Sequence, residues 1–145
     1  MDVPFASGVQ IGMAFIWLGM VLAISFLEAP LKFRAPGITI ELGVGIGRLV
    51  FTALNRVELV FGLVIVVATL VSPNSIGVTG WTLLIAILLA LAVQMFVLRP
   101  KMDRRFTSGQ SESRAGRKLH IPYVVLECVK VVLLPLLALI VFRSL

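Results

Sequence analysis

The sequence predicts an all-α fold, a polytopic membrane protein built as a four-transmembrane-helix bundle. Hydrophobic residues make up 59% of the chain and charged residues 14%, against roughly 45–50% and about 25% in soluble domains. The mean hydropathy is +1.08. The apolar residues gather into segments close to the ~20 residues that a helix needs to span a bilayer. At 145 residues, the chain is predicted to form a single transmembrane domain over 1–145.

The first two spans are predicted at about 9–27 and 43–71. Two prolines and a glycine in the segment 28–37 predict a turn at the membrane surface. The stretch 38–71 is too long for one straight span at ~1.5 Å per residue. Either one tilted helix carries an amphipathic extension before the span, with Arg48, Thr52, Asn55 and Glu58 in one stripe along it, or the helix breaks with Asn55 as N-cap and Glu58 as its capping-box partner. The continuous helix is favoured, because the segment after a break would be short for a span.

The last two spans are predicted at about 81–98 and 121–142. An uncharged loop, 72–80, precedes the third span, and a basic loop over 99–118, with a flexible middle at 107–113, follows it. Short basic loops of membrane proteins face the cytoplasm. We therefore expect an integral membrane protein with its basic loops in the cytoplasm and both the N and C termini outside.

Cations cluster at the ends of the spans, which explains the net charge of +6 better than nucleic-acid binding does. Phe106 is the one aromatic residue in the basic loop, so the interleaving that stacks bases is absent from the sequence there. The predicted partner is a bilayer with anionic headgroups, contacted by Lys32, Arg34, Arg99, Lys101, Arg104 and Arg105.

The first and third spans end alike. Leu-Glu-Ala-Pro-Leu-Lys closes the first span at 27–32, and Leu-Arg-Pro-Lys closes the third at 98–101. Each is followed by a helix with intramembrane charges. Two parallel helical hairpins of this kind would be a transporter-like arrangement.

The fourth span places four polar residues on one helix face, at steps of three, four and three: His120, Tyr123, Glu127 and Lys130. A charge near the bilayer centre costs ~2.5–3.5 kcal/mol even on a lenient scale, so this face must meet protein or water. One interpretation is a structural Glu–Lys pair. The other is a polar cavity, open to the cytoplasm, that binds a substrate or a proton, with the candidate pathway residues Glu127, Lys130, Glu58, Asn55, Arg48, Tyr123, His120 and Glu28.

Other kinds of site find little support in the sequence. Cys128 is the single cysteine, which we expect to fill space in the core, and His120 is the single histidine, so a metal ligand set is not predicted. The glycines of 43–47 do not fit a dinucleotide fingerprint, because Arg48 takes the last glycine position. No catalytic residue or cofactor is predicted, and an enzyme is disfavoured, since the polar face lacks a nucleophile.

Several short motifs occur together: Trp17 in the first span, Ala-Pro-Leu-Lys-Phe at 29–33, Gly-Arg-Leu-Val-Phe at 47–51, Leu-Arg-Pro at 98–100, and His120 before the fourth span. In this combination, over most of its length, the chain resembles small bacterial four-helix membrane proteins related to the eukaryotic transmembrane protein linked with cisplatin resistance. The resemblance implies the four-helix architecture and brings no catalytic residues with it.

The function expected first is that of a small transporter or channel-like protein with a polar intramembrane cavity and an unknown small substrate, with room for a homo-oligomer. The alternative is a non-catalytic membrane scaffold or accessory subunit in which the same residues form a structural salt-bridge network. A membrane enzyme that acts on lipids comes third.

Overall fold

The computed structural model shows an all-α bundle of four helices joined end to end by turns. It describes residues 3–109 and 114–145, and for residues 3, 4, 75 and 114–119 it describes the backbone alone. All four helices are long and apolar enough to cross a bilayer, and this part of the chain contains no strand. The predicted fold class, a four-helix integral membrane protein, is confirmed.

Helix α1 continues past the point where the sequence predicted a turn. It comprises an α-helix at Val3–Val21, a π-helical segment at Leu22–Glu28 and a last α-helical turn at Ala29–Lys32. The prediction that Pro30 ends the helix is wrong. The wider π segment leaves room for the proline ring, which in a regular α-helix would clash with the carbonyl four residues earlier. The chain turns back only after Lys32, with Gly37 at φ 78°.

Helix α2 runs unbroken over Ile40–Val71, so the alternative in which it breaks at Asn55 is wrong. Its N-cap is Thr39, whose side chain accepts a hydrogen bond from the Leu42 N–H at 3.2 Å. With 32 residues, the helix is about 48 Å long, against ~30 Å of hydrocarbon. Its first turns therefore form the extension that was predicted before the second span.

Helix α3 follows a short 3-10 turn at Pro73–Ser75 and comprises an α-helix at Gly77–Val93, a π-helical segment at Gln94–Leu98 and an α-helix at Arg99–Thr107. Helix α4 covers Arg114–Arg143. The loop predicted over 99–118 is therefore mostly helical, because arginine, lysine and methionine favour helix outside the hydrocarbon as well. Residues 110–113 of the predicted flexible segment lie outside the described residues.

The packing places α1 and α4 at the centre of the bundle. Helix α1 packs mainly against α4 and α2, and α3 packs mainly against α4, while α2 and α3 touch each other little. The end of the bundle where α1 and α3 finish and α2 and α4 begin is called the basic end. Large apolar side chains cover the outside, as expected of a lipid-facing surface, among them Leu49, Val78 and Phe96.

The core divides along the bilayer normal. An apolar cluster occupies the half nearer the chain termini; its buried members are Ala14, Trp17, Val21, Ile65, Ile76, Leu84, Ile87, Leu91, Leu134, Leu137, Ala138 and Val141. The half nearer the basic end holds most of the buried charged groups. Cys128 is exposed on the outer surface, which corrects the prediction that it fills space in the core.

Candidate functional site

A lysine lies between two glutamates in the middle of the bundle. The Lys130 ammonium of α4 donates a short hydrogen bond to Glu58 Oε1 of α2 and a second one, at 3.3 Å, to Glu127 Oε1 of its own helix. The three residues are 0–1% exposed. We call Glu58, Glu127 and Lys130 the ion cluster. The predicted face of α4 and the predicted stripe of α2 therefore meet at their charged residues.

The other two helices each add one neutral donor to the ion cluster. Trp17 Nε1 of α1 donates to Glu58 Oε1 at 2.7 Å, and Gln94 Nε2 of α3 donates to Glu127 Oε1 at 2.9 Å. Gln94 begins the π segment of α3 and is fully buried. All four helices thus hold the cluster in place.

The ion cluster has more acceptors than donors and more acids than bases. Both hydrogen bonds of each carboxylate fall on its Oε1 atom, and both Oε2 atoms are buried without a partner among the described residues. Gln94 Oε1 is buried and unpartnered in the same way. With both acids ionised, two carboxylates against one ammonium leave the cluster at −1. An unneutralised charge away from water is strongly unfavourable.

The cluster lies deep in the span. Lys130 is ten residues from His120, where the candidate span of α4 begins, which places it about 15 Å inside by helix rise. Glu58 is thirteen residues from the end of α2 at Val71, or about 20 Å. Neither side chain can reach the headgroups from the middle of ~30 Å of hydrocarbon.

Polar contacts continue from the ion cluster to the basic end along the predicted stripe of α2. The Tyr123 hydroxyl donates to Asn55 Oδ1 at 2.9 Å. One turn further, Arg99 donates to the Arg48 carbonyl at 2.7 Å and to Thr52 Oγ1. These contacts explain why the stripe is tolerated in α2: each of its side chains meets a partner from α3 or α4.

At the basic end the polar contacts finish in an ion pair. The Arg48 Nε atom lies 2.7 Å from Asp103 Oδ1, and its guanidinium stacks 5.2 Å from the centre of the Phe106 ring. Both partners are more than a third exposed, so the pair contributes little to stability. It does fix the register of α2 against α3 where these helices otherwise touch little.

Two predicted pathway residues stand apart from the ion cluster. His120 is exposed at the start of α4's span, and Glu28 pairs with Lys32 at 3.4 Å at the end of α1. Among the residues predicted to meet headgroups, Arg34, Lys101 and Arg104 are exposed and Arg105 is partly buried. Lys32 and Arg99 turn inward instead: the Lys32 ammonium lies 5.6 Å from the Phe51 ring centre, and Arg99 is 7% exposed.

The described residues close the ion cluster to solvent, so the polar cavity predicted to reach Glu127 is not open in this structure. A cavity of about 200 Å³ does open between α2 and α3 nearer the basic end and reaches Asn55. Asn55, which lines this cavity, also accepts the hydrogen bond of the Tyr123 hydroxyl. The lining residues of the cavity are Thr52, Asn55, Arg56, Met95, Arg99, Pro100 and Asp103.

Several residues that belong to the site are only weakly indicated by the sequence. Gln94 interrupts an apolar span, and Trp17 carries an N–H that needs an acceptor when buried; neither was predicted to contact the acids. Arg99 and Asp103 were predicted to lie in a loop. Arg56 is one position beyond Asn55 and was not singled out.

The described residues contain no group of three His, Cys, Asp or Glu side chains that could hold a metal ion. What the arrangement offers is a buried acid–base cluster that can bind a proton or a small cation. The chain matches none of the family models, curated proteins or solved structures with which it was compared.

Proposed function

We propose that this chain is a small membrane transport protein whose ion cluster is a proton-binding centre, in a conformation closed to both sides. The observation that carries the proposal is the excess of acid: Glu58 and Glu127 share Lys130, and each has a buried oxygen without a donor. Intramembrane ionisable residues in other membrane proteins mark ion pathways and proton relays.

A proton would correct both imbalances of the ion cluster at once. It would bring the net charge from −1 to zero, and it would supply a donor where three buried acceptors lack one. A structural pair of one acid and one lysine would already be neutral. The second acid is therefore the part of the cluster that a purely structural account leaves without a purpose.

Transport requires the ion cluster to open. The cavity at Asn55 lies on the basic side of the cluster, and the Tyr123–Asn55 hydrogen bond is the contact that must break to join the two. Opening on this side would make the cytoplasm the source of the proton if the basic end is cytoplasmic.

The experiment is proton flux into liposomes that contain the purified protein and a pH-sensitive dye, driven by a membrane potential. We expect Glu127→Gln and Glu58→Gln each to lower the flux by about a hundredfold, the low end of what a positioned proton-transfer group contributes. Glu28→Gln is the matched control, because Glu28 lies outside the cluster. Equal flux in all four proteins would refute the proposal.

A second measurement reads the proton directly. A protonated carboxylic acid has an infrared C=O stretch that a carboxylate lacks, and we expect this band in the wild-type protein at neutral pH. Glu127→Gln and Glu58→Gln should change it, and Glu28→Gln should not. Its absence would mean that both acids are ionised and that no proton is held.

The setting is also a proposal. Exposed Arg34, Lys101 and Arg104 at the basic end favour a cytoplasmic position for that end, with both termini outside a bacterial cytoplasmic membrane. The resemblance to the small bacterial relatives of the cisplatin-resistance-linked protein agrees with this setting and stays a prediction, as does the homo-oligomer. Gly8 and Gly12 on α1 have no neighbour where a Cβ would lie, so a second copy could approach there.

A non-catalytic scaffold or accessory subunit is the second candidate, favoured by the closure of the ion cluster and its bonds to all four helices. The triple variant Glu58→Gln, Glu127→Gln, Lys130→Met removes every charge together. A scaffold should tolerate it, since neutral replacements of a buried ion network are often harmless. A folded triple variant without flux, beside an active wild type, would instead support transport.

A further inference from the structure

The cavity between α2 and α3 has a chemistry that differs from that of the ion cluster. It lies where these two helices touch little, on the outer surface of the bundle. We call it the arginine pocket, after Arg56 and Arg99. Its volume of about 200 Å³ far exceeds the ~10–15 Å³ that one water needs.

The charges that line the arginine pocket do not cancel. Asp103 is its one acidic residue, and that carboxylate is already paired with Arg48 at 2.7 Å. In the described part of the chain, no ion pair includes Arg56 or Arg99. The pocket therefore presents two guanidinium groups whose charge is unmet.

Both arginines have hydrogen-bonding capacity to spare. The two hydrogen bonds of Arg99 are donated by its Nη2 atom, so its other three N–H groups take no part in them. Those two bonds and 7% exposure hold its guanidinium in one orientation. Arg56 is exposed and can close over a ligand.

The depth of the pocket matches that of lipid phosphate groups. Arg56 lies fifteen residues from Val71, or about 22 Å along α2. Arg99 lies twenty-two residues from Gly77, or about 33 Å along α3. Against ~30 Å of hydrocarbon, Arg99 lies beyond the boundary and Arg56 about 8 Å short of it, a distance that a long arginine side chain covers by snorkelling.

We propose that the arginine pocket binds a phosphate group, held by the Arg56 and Arg99 guanidinium groups, with Asn55 and Thr52 at its floor. Planar guanidinium forks match phosphate oxygens in pairs, which a lysine does not. The phosphate can come from a phospholipid headgroup entering sideways between α2 and α3, or from a soluble anion entering from the basic end.

The test is binding to the detergent-purified full chain. Phosphatidylglycerol is the lipid probe, measured by native mass spectrometry, and inorganic phosphate is the soluble probe, measured by calorimetry. We expect Arg56→Gln to weaken binding by about tenfold, the loss typical of one charge-assisted hydrogen bond. Arg143→Gln is the matched control, an exposed cation at the opposite end of the bundle that does not line the pocket.

The outcomes separate the two sources. If phosphatidylglycerol binding falls in Arg56→Gln and inorganic phosphate binds no variant, the site takes a lipid headgroup. If inorganic phosphate binds the wild type and its binding is weaker in Arg56→Gln, the ligand is a soluble anion. Equal binding of both probes by wild type, Arg56→Gln and Arg143→Gln would overturn the proposal. Arg56→Lys, which keeps the charge and loses the fork, should bind with intermediate affinity.

The phosphate site and the proton centre can fail separately. No hydrogen bond or ion pair among the described residues joins Arg56 to the ion cluster, so Arg56→Gln should leave the infrared band of the protonated acid unchanged. Loss of lipid binding together with an intact band would support both proposals.

Discussion

Lys130 faces two acids that neutralise it in different ways. Glu58 receives the shorter of its two hydrogen bonds and is also bonded to Trp17, while Glu127 is held by Gln94. If a proton resides on the cluster, one acid is already neutral. Replacing one acid and replacing both acids should then change the free energy of unfolding by different amounts.

We predict that Glu127→Gln lowers the free energy of unfolding by about 1 kcal/mol or less, because glutamine keeps a hydrogen-bonding oxygen and the cluster stays neutral without a bound proton. The double variant Glu58→Gln, Glu127→Gln leaves Lys130 as an unpaired buried charge, and it should lose about 3–5 kcal/mol. Unfolding of the purified proteins in detergent measures both.

The two single variants and the double variant form a double-mutant cycle. Its interaction energy measures how strongly the two acids are coupled through the shared Lys130. Glu28→Gln supplies the baseline, since the Glu28–Lys32 pair is partly exposed and worth little. Additive losses in the double variant would contradict the charge count proposed for the cluster.

Much of the ion cluster could be predicted at this scale from spacing alone. Glu58 with Asn55, and Glu127 with Lys130, recur at steps that place them on one face of a continuous helix. Spacing within a helix says nothing about which residues of other helices complete the site. Trp17 and Gln94 depend on how α1 and α3 pack, and so their contacts could not be predicted.

At the scale of helices, the π segment of α3 decides which residues meet the site. Gln94 and Arg99 are five positions apart, which in an α-helix sets them about 140° apart around the axis. Hydrogen bonds in a π segment span five residues, as from the Arg99 N–H to the Gln94 carbonyl, so the two residues lie on nearly the same side. Both are buried against α4 or α2.

This geometry predicts that α3 tolerates a deletion inside the π segment. Removing Phe96, which is 75% exposed, leaves Gln94 and Arg99 four positions apart, on one face of a regular α-helix. We expect the shortened protein to fold and to keep its infrared carboxylic acid band, with a modest loss of thermal stability.

Removing Leu89 is the matched deletion. Leu89 is also exposed but lies in the α-helical part of α3, so its loss rotates every residue on one side of it by about 100°. That variant should fail to fold. If both deletions were equally harmful, the π segment would not be the element that aligns Gln94 with Arg99.

The helix ends also show what hydropathy can and cannot predict. The sequence placed each helix within its apolar segment, and the structure extends α3 to Thr107 and starts α4 at Arg114. Hydropathy marks where lipid surrounds a helix, whereas the helix itself continues wherever its residues favour it.

The likeness between the ends of spans one and three extends from their residues to their helix geometry. Each has a π segment, and each π segment is followed by an α-helical turn with a proline at its second position, Pro30 or Pro100.

The whole molecule is polarised between its two ends. Its core near the termini holds the apolar cluster and neutral polar side chains, whereas the buried charges lie toward the basic end, where the arginine pocket also opens. A proton that enters or leaves the ion cluster past Asn55 therefore passes through the basic end. The direction of any transport depends on which compartment that end faces.

We predict that the basic end lies in the cytoplasm and both termini lie outside. Alkaline phosphatase, which is active only outside the cytoplasm, should be active when fused after Leu145 and inactive when fused after Gly109, between α3 and α4. Green fluorescent protein should give the reverse pattern. The physical cause is the retention of short cationic segments in the cytoplasm, so changing Lys101, Arg104 and Arg105 to glutamine should weaken the pattern. Active phosphatase after Gly109 would invert the molecule and place the Asn55 entrance on the outside.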